Sequence, residues 1–297
     1  MPWITEHRLT PLCGRRLETV RIRLKSPRGL IFVPPLIGGD AAQQVRYFRR
    51  LVRMRYDLVT FSYSGHGRST GRFSHAAALK DTAALLRIVD RENRGDGLPI
   101  TGIGCCYGAI PLIFGNSRLA APLKKLVLIN AVFDLSVKAA ATSFFRYYRE
   151  IHQCRGSESF LRGVFRRYLD FMFPQVHKTR HEFGRLHRRR VRIFKTLADV
   201  LFLNPLASIR QDRTQALCLY GREDRILRFY GTGYPASYEK TVKRIFPTAA
   251  FQPLPGGHFL SSPVTRNEIL RRIRVFSDHQ GLILPVSPIF NTALTRI

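Results

Sequence analysis

Short apolar runs alternate with stretches of helical periodicity along most of this chain, and that alternation restricts the fold more than any other feature of the sequence. Residues 29–33, 57–62, 99–104, 125–129, 216–220 and 249–254 are strand-length and apolar or β-rich. Helical stretches fall between them. One follows Asp40, a good N-cap, and runs to about residue 54 with Val45, Phe48, Leu51 and Val52 on one face. Residues 75–93 place Leu79, Ala83, Leu86 and Val89 at helical spacing, and shorter helical stretches cover 107–114, 237–246 and 268–276. Strands that alternate with helices need crossover connections. The pattern therefore predicts an α/β fold, a doubly wound, mostly parallel sheet with helices on both faces.

One segment breaks the alternation. Residues 135–209 contain no clear strand, carry the aromatic pairs Phe144-Phe145 and Tyr147-Tyr148, and hold the basic run Arg188-Arg189-Arg190. They read as a helical, basic insertion between two strands, which leaves 1–134 and 210–280 as the core. Residues 281–297 are apolar and Pro-containing without periodicity, an irregular tail. At 297 residues the whole fits one α/β domain with an insertion.

Charge narrows the partners. The chain has 49 Lys and Arg against 20 Asp and Glu, a formal charge of +29, and between Lys138 and Lys195 alone there are 15 basic and 4 acidic residues. Such a field attracts polyanions: nucleic acid, anionic lipid, phosphate-bearing cofactors or acidic proteins. No RNP or zinc-finger motif is visible. No apolar run approaches the ~18 residues of a membrane span, and residues 1–10 carry Glu6 and lack a signal-like apolar stretch. Five cysteines, Cys13, Cys105, Cys106, Cys154 and Cys218, form neither a disulfide framework nor a paired C-x-x-C metal site. The expectation is a cytoplasmic protein.

The sharpest local motif is Gly104-Cys105-Cys106-Tyr107-Gly108, after one strand and before a helix. A nucleophile on a tight strand-to-helix turn needs small residues two positions to either side, because the backbone there is strained and crowded. Cys106 stands at the nucleophile's position, where helix N-terminal amides favour thiolate. As a dinucleotide fingerprint the same stretch fails, since Tyr107 replaces the third glycine. Further along, Gly221-Arg222-Glu223-Asp224 directly follows a strand, and Pro255-Gly256-Gly257-His258 follows the last one. Nucleophile, acid and histidine thus occur in that order, each at the C-terminal edge of a strand, where parallel sheets place their sites. Asp134 is the rival acid, close behind the 125–129 run; Asp224 fits better. His66 reads as structural, held in a Gly turn, and Cys105 as a small packing residue. His177 and His181 lie four apart but lack a third ligand and sit among Lys178, Arg180 and Arg185. A solvated basic face is the better reading, so neither a metal nor a cofactor is expected.

These motifs together resemble the α/β-hydrolase fold superfamily from Arg21 to Phe276, in its cysteine-nucleophile branches such as the dienelactone hydrolases and polyhydroxyalkanoate synthases. Ser64-Gly65-His66-Gly67-Arg68-Ser69 is similar to that superfamily's G-H-G-x-S turn, and Val33-Pro34-Pro35-Leu36 stands where its His-Gly turn is found. The resemblance implies a catalytic triad with Cys106 as nucleophile, His258 as base and Asp224 as orienting acid. It also implies an oxyanion hole from the amides of Tyr107 and Leu36, because Pro34 and Pro35 have no N–H to give. The insertion would be a lid, with Phe144, Phe145, Tyr147, Phe160, Phe165, Phe171 and Phe173 facing an acyl pocket or forming the lid's own core.

A thiolate leaves more readily than an alkoxide, so a cysteine adduct with an ordinary ester tends to collapse backwards. With a thioester the two exits are balanced, which favours a thioesterase or acyltransferase working through an acyl-cysteine. The Arg-rich face of the lid suits a substrate carried by coenzyme A or an acyl carrier protein. Two alternatives stand beside this: an esterase or lactone hydrolase with an incidentally basic surface, and a non-catalytic basic scaffold that binds nucleic acid or anionic membrane.

Overall fold

The structure is a computed structural model, and it describes residues 3–12, 14–36, 39–133, 195, 198–199, 202–211, 213–224, 227, 234–258 and 262–278. Asp134, the aromatic row from Phe144 to Phe173, His177, His181, residues 188–190 and the tail lie outside the described residues.

Among the described residues an eight-stranded sheet runs β1 (Trp3–Leu12), β2 (Arg15–Leu24), β3 (Gly29–Val33), β4 (Tyr56–Phe61), β5 (Ile100–Cys105), β6 (Lys125–Ile129), β7 (Gln215–Gly221) and β8 (Ala250–Leu254). Its spatial order is β1-β2-β4-β3-β5-β6-β7-β8. From β4 to β8 every neighbour is parallel, while β1 and β2 form an antiparallel hairpin set against β4. Strands β3, β4 and β6 are buried along all or nearly all of their length because both faces are covered, and apart from Asp57, Thr60 and Lys125 their residues are apolar or aromatic.

Helices α2 (His75–Asn93), α3 (Ala109–Asn116) and α4 (Ala236–Ile245) pack on one face, through Leu79, Leu86, Ile113 and Val242. Helices α1 (Ala41–Arg53) and α5 (Pro263–Asp278) cover the other, through Phe48, Leu51, Ile269 and Ile273. Asp40 caps α1 as expected, accepting from the Gln43 amide at 2.8 Å, and Ser74 caps α2 from Ala77 at 3.1 Å.

The register carries the functional consequence. Cys105 faces Ile129, Ile129 faces Leu219 and Gly221 faces Leu254, so β5 to β8 end level with one another. Whatever follows them meets at one edge. Thr19 of β2 faces Phe61 of β4 in antiparallel sense, so the β1–β2 turn lies at that same edge. The hairpin is an addition to the sequence reading. β1 is exposed along most of its length, and its apolar residues Trp3, Ile4, Leu9 and Leu12 follow no period of two, so it carries no apolar period to detect.

The opposite ends of β6 and β7 are tied by one buried residue, Asn116. Its amide donates to Gln211 Oε1 at 2.6 Å, and its carbonyl accepts from the Leu123 amide at 2.7 Å. Replacing Asn116 by Ala strands both partners in the core. The expected cost is about 2–3 kcal/mol, read as a Tm several degrees lower in thermal unfolding. An unchanged Tm would remove this clamp from the account.

Candidate active site

The turn after β5 is built by its glycines. Cys106 has φ +47°, a left-handed backbone that a side chain tolerates only when its surroundings enforce it. Cys106–Gly108 form one 3-10 turn and α3 starts at once, so the chain reverses beside its own strand. A Cβ on Gly104 would stand 2.6 Å from Ala109 Cα, and one on Gly108 would stand 3.0 Å from the Pro35 carbonyl. The spacing read in the sequence is thus a steric requirement. It also brings the Pro34-Pro35-Leu36 loop after β3 against the turn. Tyr63 secures that loop by donating from Oη to the Pro35 carbonyl at 3.0 Å.

The structure brings Asp224 and His258 together. His258 Nδ1 lies 2.8 Å from Asp224 Oδ2, and both side chains are buried. The other Asp224 oxygen accepts from the Leu227 amide at 2.9 Å. The Cys106 side chain is the other group that acts on the charge of His258. Burial alone would lower the histidine's pKa. The negative charge available at Cys106 and the hydrogen bond to Asp224 outweigh it and push the imidazolium up to about 10.

Cys105 and Cys106 are free thiols pointing to opposite faces of the sheet. Cys106 lies against the cluster that includes Tyr107, Cys105 against the cluster that includes Ile103 and Ile129. Burial pushes the Cys105 thiol well above its ordinary value, which keeps it protonated and unreactive. His66 is buried edge-on to Phe73, with ring centroids 4.8 Å apart, and burial lowers its pKa to about 4. It is a neutral packing group of the Gly turn.

Three residues of the site escaped the sequence reading. Asn130 follows β6 with φ +43°. It accepts from the Gly221 amide at 2.8 Å and donates to the backbone carbonyls of Gly257, at 3.4 Å, and His258. One amide thereby joins the acid's loop to the histidine's loop. Asparagine tolerates the left-handed region, and a lone Asn directly after a strand was the available signal. His75 Nδ1 shares a hydrogen bond with Tyr107 Oη at 2.8 Å, tying the start of α2 to the residue after Cys106. Tyr63, buried in an apolar-looking stretch, gave no signal. Among the described residues no group of three His, Cys, Asp or Glu side chains gathers as a metal site, and no helix is long and apolar enough to cross a membrane.

Known proteins share this fold. The model of the alpha/beta hydrolase family matches residues 30–268. A thermostable carboxyl esterase from Bacillus coagulans superposes at TM-score 0.64 with 13% identity, over 93% of this chain and 98% of its own. A lipase in its open form superposes at TM-score 0.63 with 15% identity, over 93% and 98%. The thioesterase domain from the curacin biosynthetic pathway does so at TM-score 0.53 with 16% identity, over 92% and 98%. At these identities the likeness is one of fold. A search of curated proteins returns no match.

The charge balance at His258 is open to test. A histidine whose folded pKa is raised contributes stability that is fully present below the unfolded value of about 6.5 and is lost as pH rises through about 10. Nitrogen-15 NMR of the imidazole should show imidazolium through pH 8, with deprotonation only near pH 10. A titration centred between 6 and 7 would contradict the ion-pair geometry.

Proposed function

The chain belongs to the alpha/beta hydrolase family and is a hydrolase, and from that premise we propose a thioesterase or acyltransferase that works through an acyl-cysteine at Cys106. The observation that carries the reading is the 2.8 Å bond between His258 and buried Asp224, made by a histidine whose charge is raised by a cysteine at a left-handed turn.

The steps follow from those groups. With the proton already held on His258 Nε2, the Cys106 sulfur attacks the acyl carbon of a thioester, forming a new carbon–sulfur bond. The amides of Tyr107 and Leu36 hold the oxyanion. His258 returns the proton to the leaving thiolate as the substrate's carbon–sulfur bond breaks. Water, or an alcohol or amine acceptor, then enters. His258 takes its proton, the acyl–Cys106 bond breaks, and Cys106 is restored with the acid, ester or amide released. Asp224 holds the imidazole in the tautomer that presents Nε2 to the sulfur and stabilises its charge.

In this reading the core comprises 1–134 and 210–280, the 135–209 insertion covers the acyl pocket, and the acyl group arrives on coenzyme A or an acyl carrier protein. The free thiols of Cys105, Cys106 and Cys218 suit a reducing compartment such as the cytoplasm. A second reading, esterase action on oxygen esters, draws on the carboxyl esterase and lipase folds. The collapse argument separates the two, because an oxygen ester disfavours forward breakdown of a cysteine adduct.

Kinetics on a matched thioester and oxygen ester test the proposal. The parent should prefer the thioester, and Cys106→Ala should abolish turnover and iodoacetamide labelling while Cys105→Ala keeps both. Asp224→Asn should lower kcat by roughly 10²-fold or more with the fold intact. Faster cleavage of the oxygen ester would favour the esterase reading, and labelling lost with Cys105 would overturn the assignment of the nucleophile.

A further inference from the structure

The β1–β2 turn meets the start of α2 across two adjoining open clefts of about 490 Å³ and 570 Å³ that share Gly14 and Arg15. Arg72, Lys80 and Lys195 line the first and Arg16 lines the second, and no carboxylate lines either. Two of these five cations are already engaged. Arg15 pairs with Asp81 at 2.5 Å, and Lys195 with Asp199 at 3.0 Å. Arg16, Arg72 and Lys80 are exposed, and none makes an ion pair among the described residues. Like charges gathered at one concavity repel each other until an anion joins them. The first amides of α2 add nothing here, since Ala77 N bonds Ser74 Oγ and Ala76 N bonds Asp199 Oδ2 at 3.0 Å. The cleft's attraction for an anion therefore comes from side chains on two loops, a helix and Lys195.

Its place is fixed relative to Cys106. The antiparallel register of β2 on β4 puts the hairpin turn at the sheet edge that carries Cys106, Asp224 and His258. Backbone bonds lock it there: the Thr70 amide donates to the Arg16 carbonyl at 2.8 Å, and Thr70 Oγ1 accepts from the Arg16 amide at 2.8 Å. From β5 the sheet order passes through β3 and β4 to β2. Three strand spacings of about 4.8 Å put the turn about 14–15 Å to the side of the nucleophile. An extended pantetheine arm has a comparable span between its thioester sulfur and its phosphate.

We infer that this cationic cleft holds the phosphate ester at the far end of a pantetheine arm, while the thioester at the near end lies at Cys106. The inference rests on the thioester reading given above and adds where the carrier's charge is bound. A phosphate offers several anionic oxygens to an arginine fork and a lysine together, which a neutral ester lacks. Coenzyme A and a phosphopantetheine group share that phosphate.

The test uses the full chain and the double substitution Arg72→Gln with Lys80→Gln. Both side chains are exposed and stand outside the triad and the oxyanion hole. Three thioesters of one acyl group are compared: on N-acetylcysteamine, which has no phosphate, on phosphopantetheine, which has one, and on coenzyme A. The variant should raise KM about fivefold for the two phosphorylated substrates and leave the N-acetylcysteamine thioester unchanged. A rise confined to coenzyme A would assign the cleft to its nucleotide phosphates and overturn the pantetheine phosphate. Equal changes for all three, or none, would also overturn the inference.

Calorimetry with free coenzyme A separates this from the chemistry at Cys106. Binding weakened severalfold in the variant, with no thioester turned over by the parent, keeps the cleft as a phosphate site and removes the thioester reading. Coenzyme A that fails to bind the parent while a short RNA binds it, and loses affinity in the variant, would overturn the inference in favour of nucleic acid.

Discussion

The site depends first on the left-handed backbone at Cys106. A strand delivers the residue and a helix must begin within one short turn, so the chain has to bend where side chains have little room. Gly104 and Gly108 supply that room, against Ala109 on one side and the Pro34-Pro35 carbonyls on the other. Once the bend is made, Tyr107 points back to His75 at the start of α2 and the loop of Leu36 is drawn over the turn. The position of the thiol and the approach of the Leu36 loop follow from one strained residue and its two small neighbours.

The second half of the site is assembled by a different device. Asp224 and His258 sit on separate loops after β7 and β8, and each loop is short because its strand ends level with its neighbours. Asn130 stitches them with a single amide, bonding the Gly221 amide on one side and the carbonyls of Gly257 and His258 on the other. The carboxylate is thereby fixed 2.8 Å from the imidazole before any substrate arrives, which is the preorganisation that acyl transfer needs.

Much of this was legible in the residues. The alternating apolar runs marked the parallel strands, in two cases to the residue, at Gly29–Val33 and Lys125–Ile129, and the G-x-C-x-G spacing marked the turn, because burial on both faces and steric crowding leave direct traces in composition. The helix after Ser74 began and ended as read, since its cap and its apolar spacing agree. The outer strand β1 left no trace, because it is a solvated edge held by pairing with β2, while β2 sends Leu17, Val20 and Ile22 into the core. Asn130 left only its position after a strand as a sign. Its role is a set of hydrogen bonds between loops distant in sequence, and only the assembled register places it between them. The cation cleft is likewise spread over Arg15, Arg72, Lys80 and Lys195, which no local window unites.

The account's central claim is that Cys106 carries the acyl group. Intact-mass analysis of the protein, quenched seconds after mixing with an acyl thioester, tests it most directly. The account predicts a gain of one acyl mass, removed by hydroxylamine, mapped to the peptide containing Cys106 and lost in Cys106→Ala. Turnover of the thioester with no such adduct, or an adduct on Cys105 or on a serine, would contradict it.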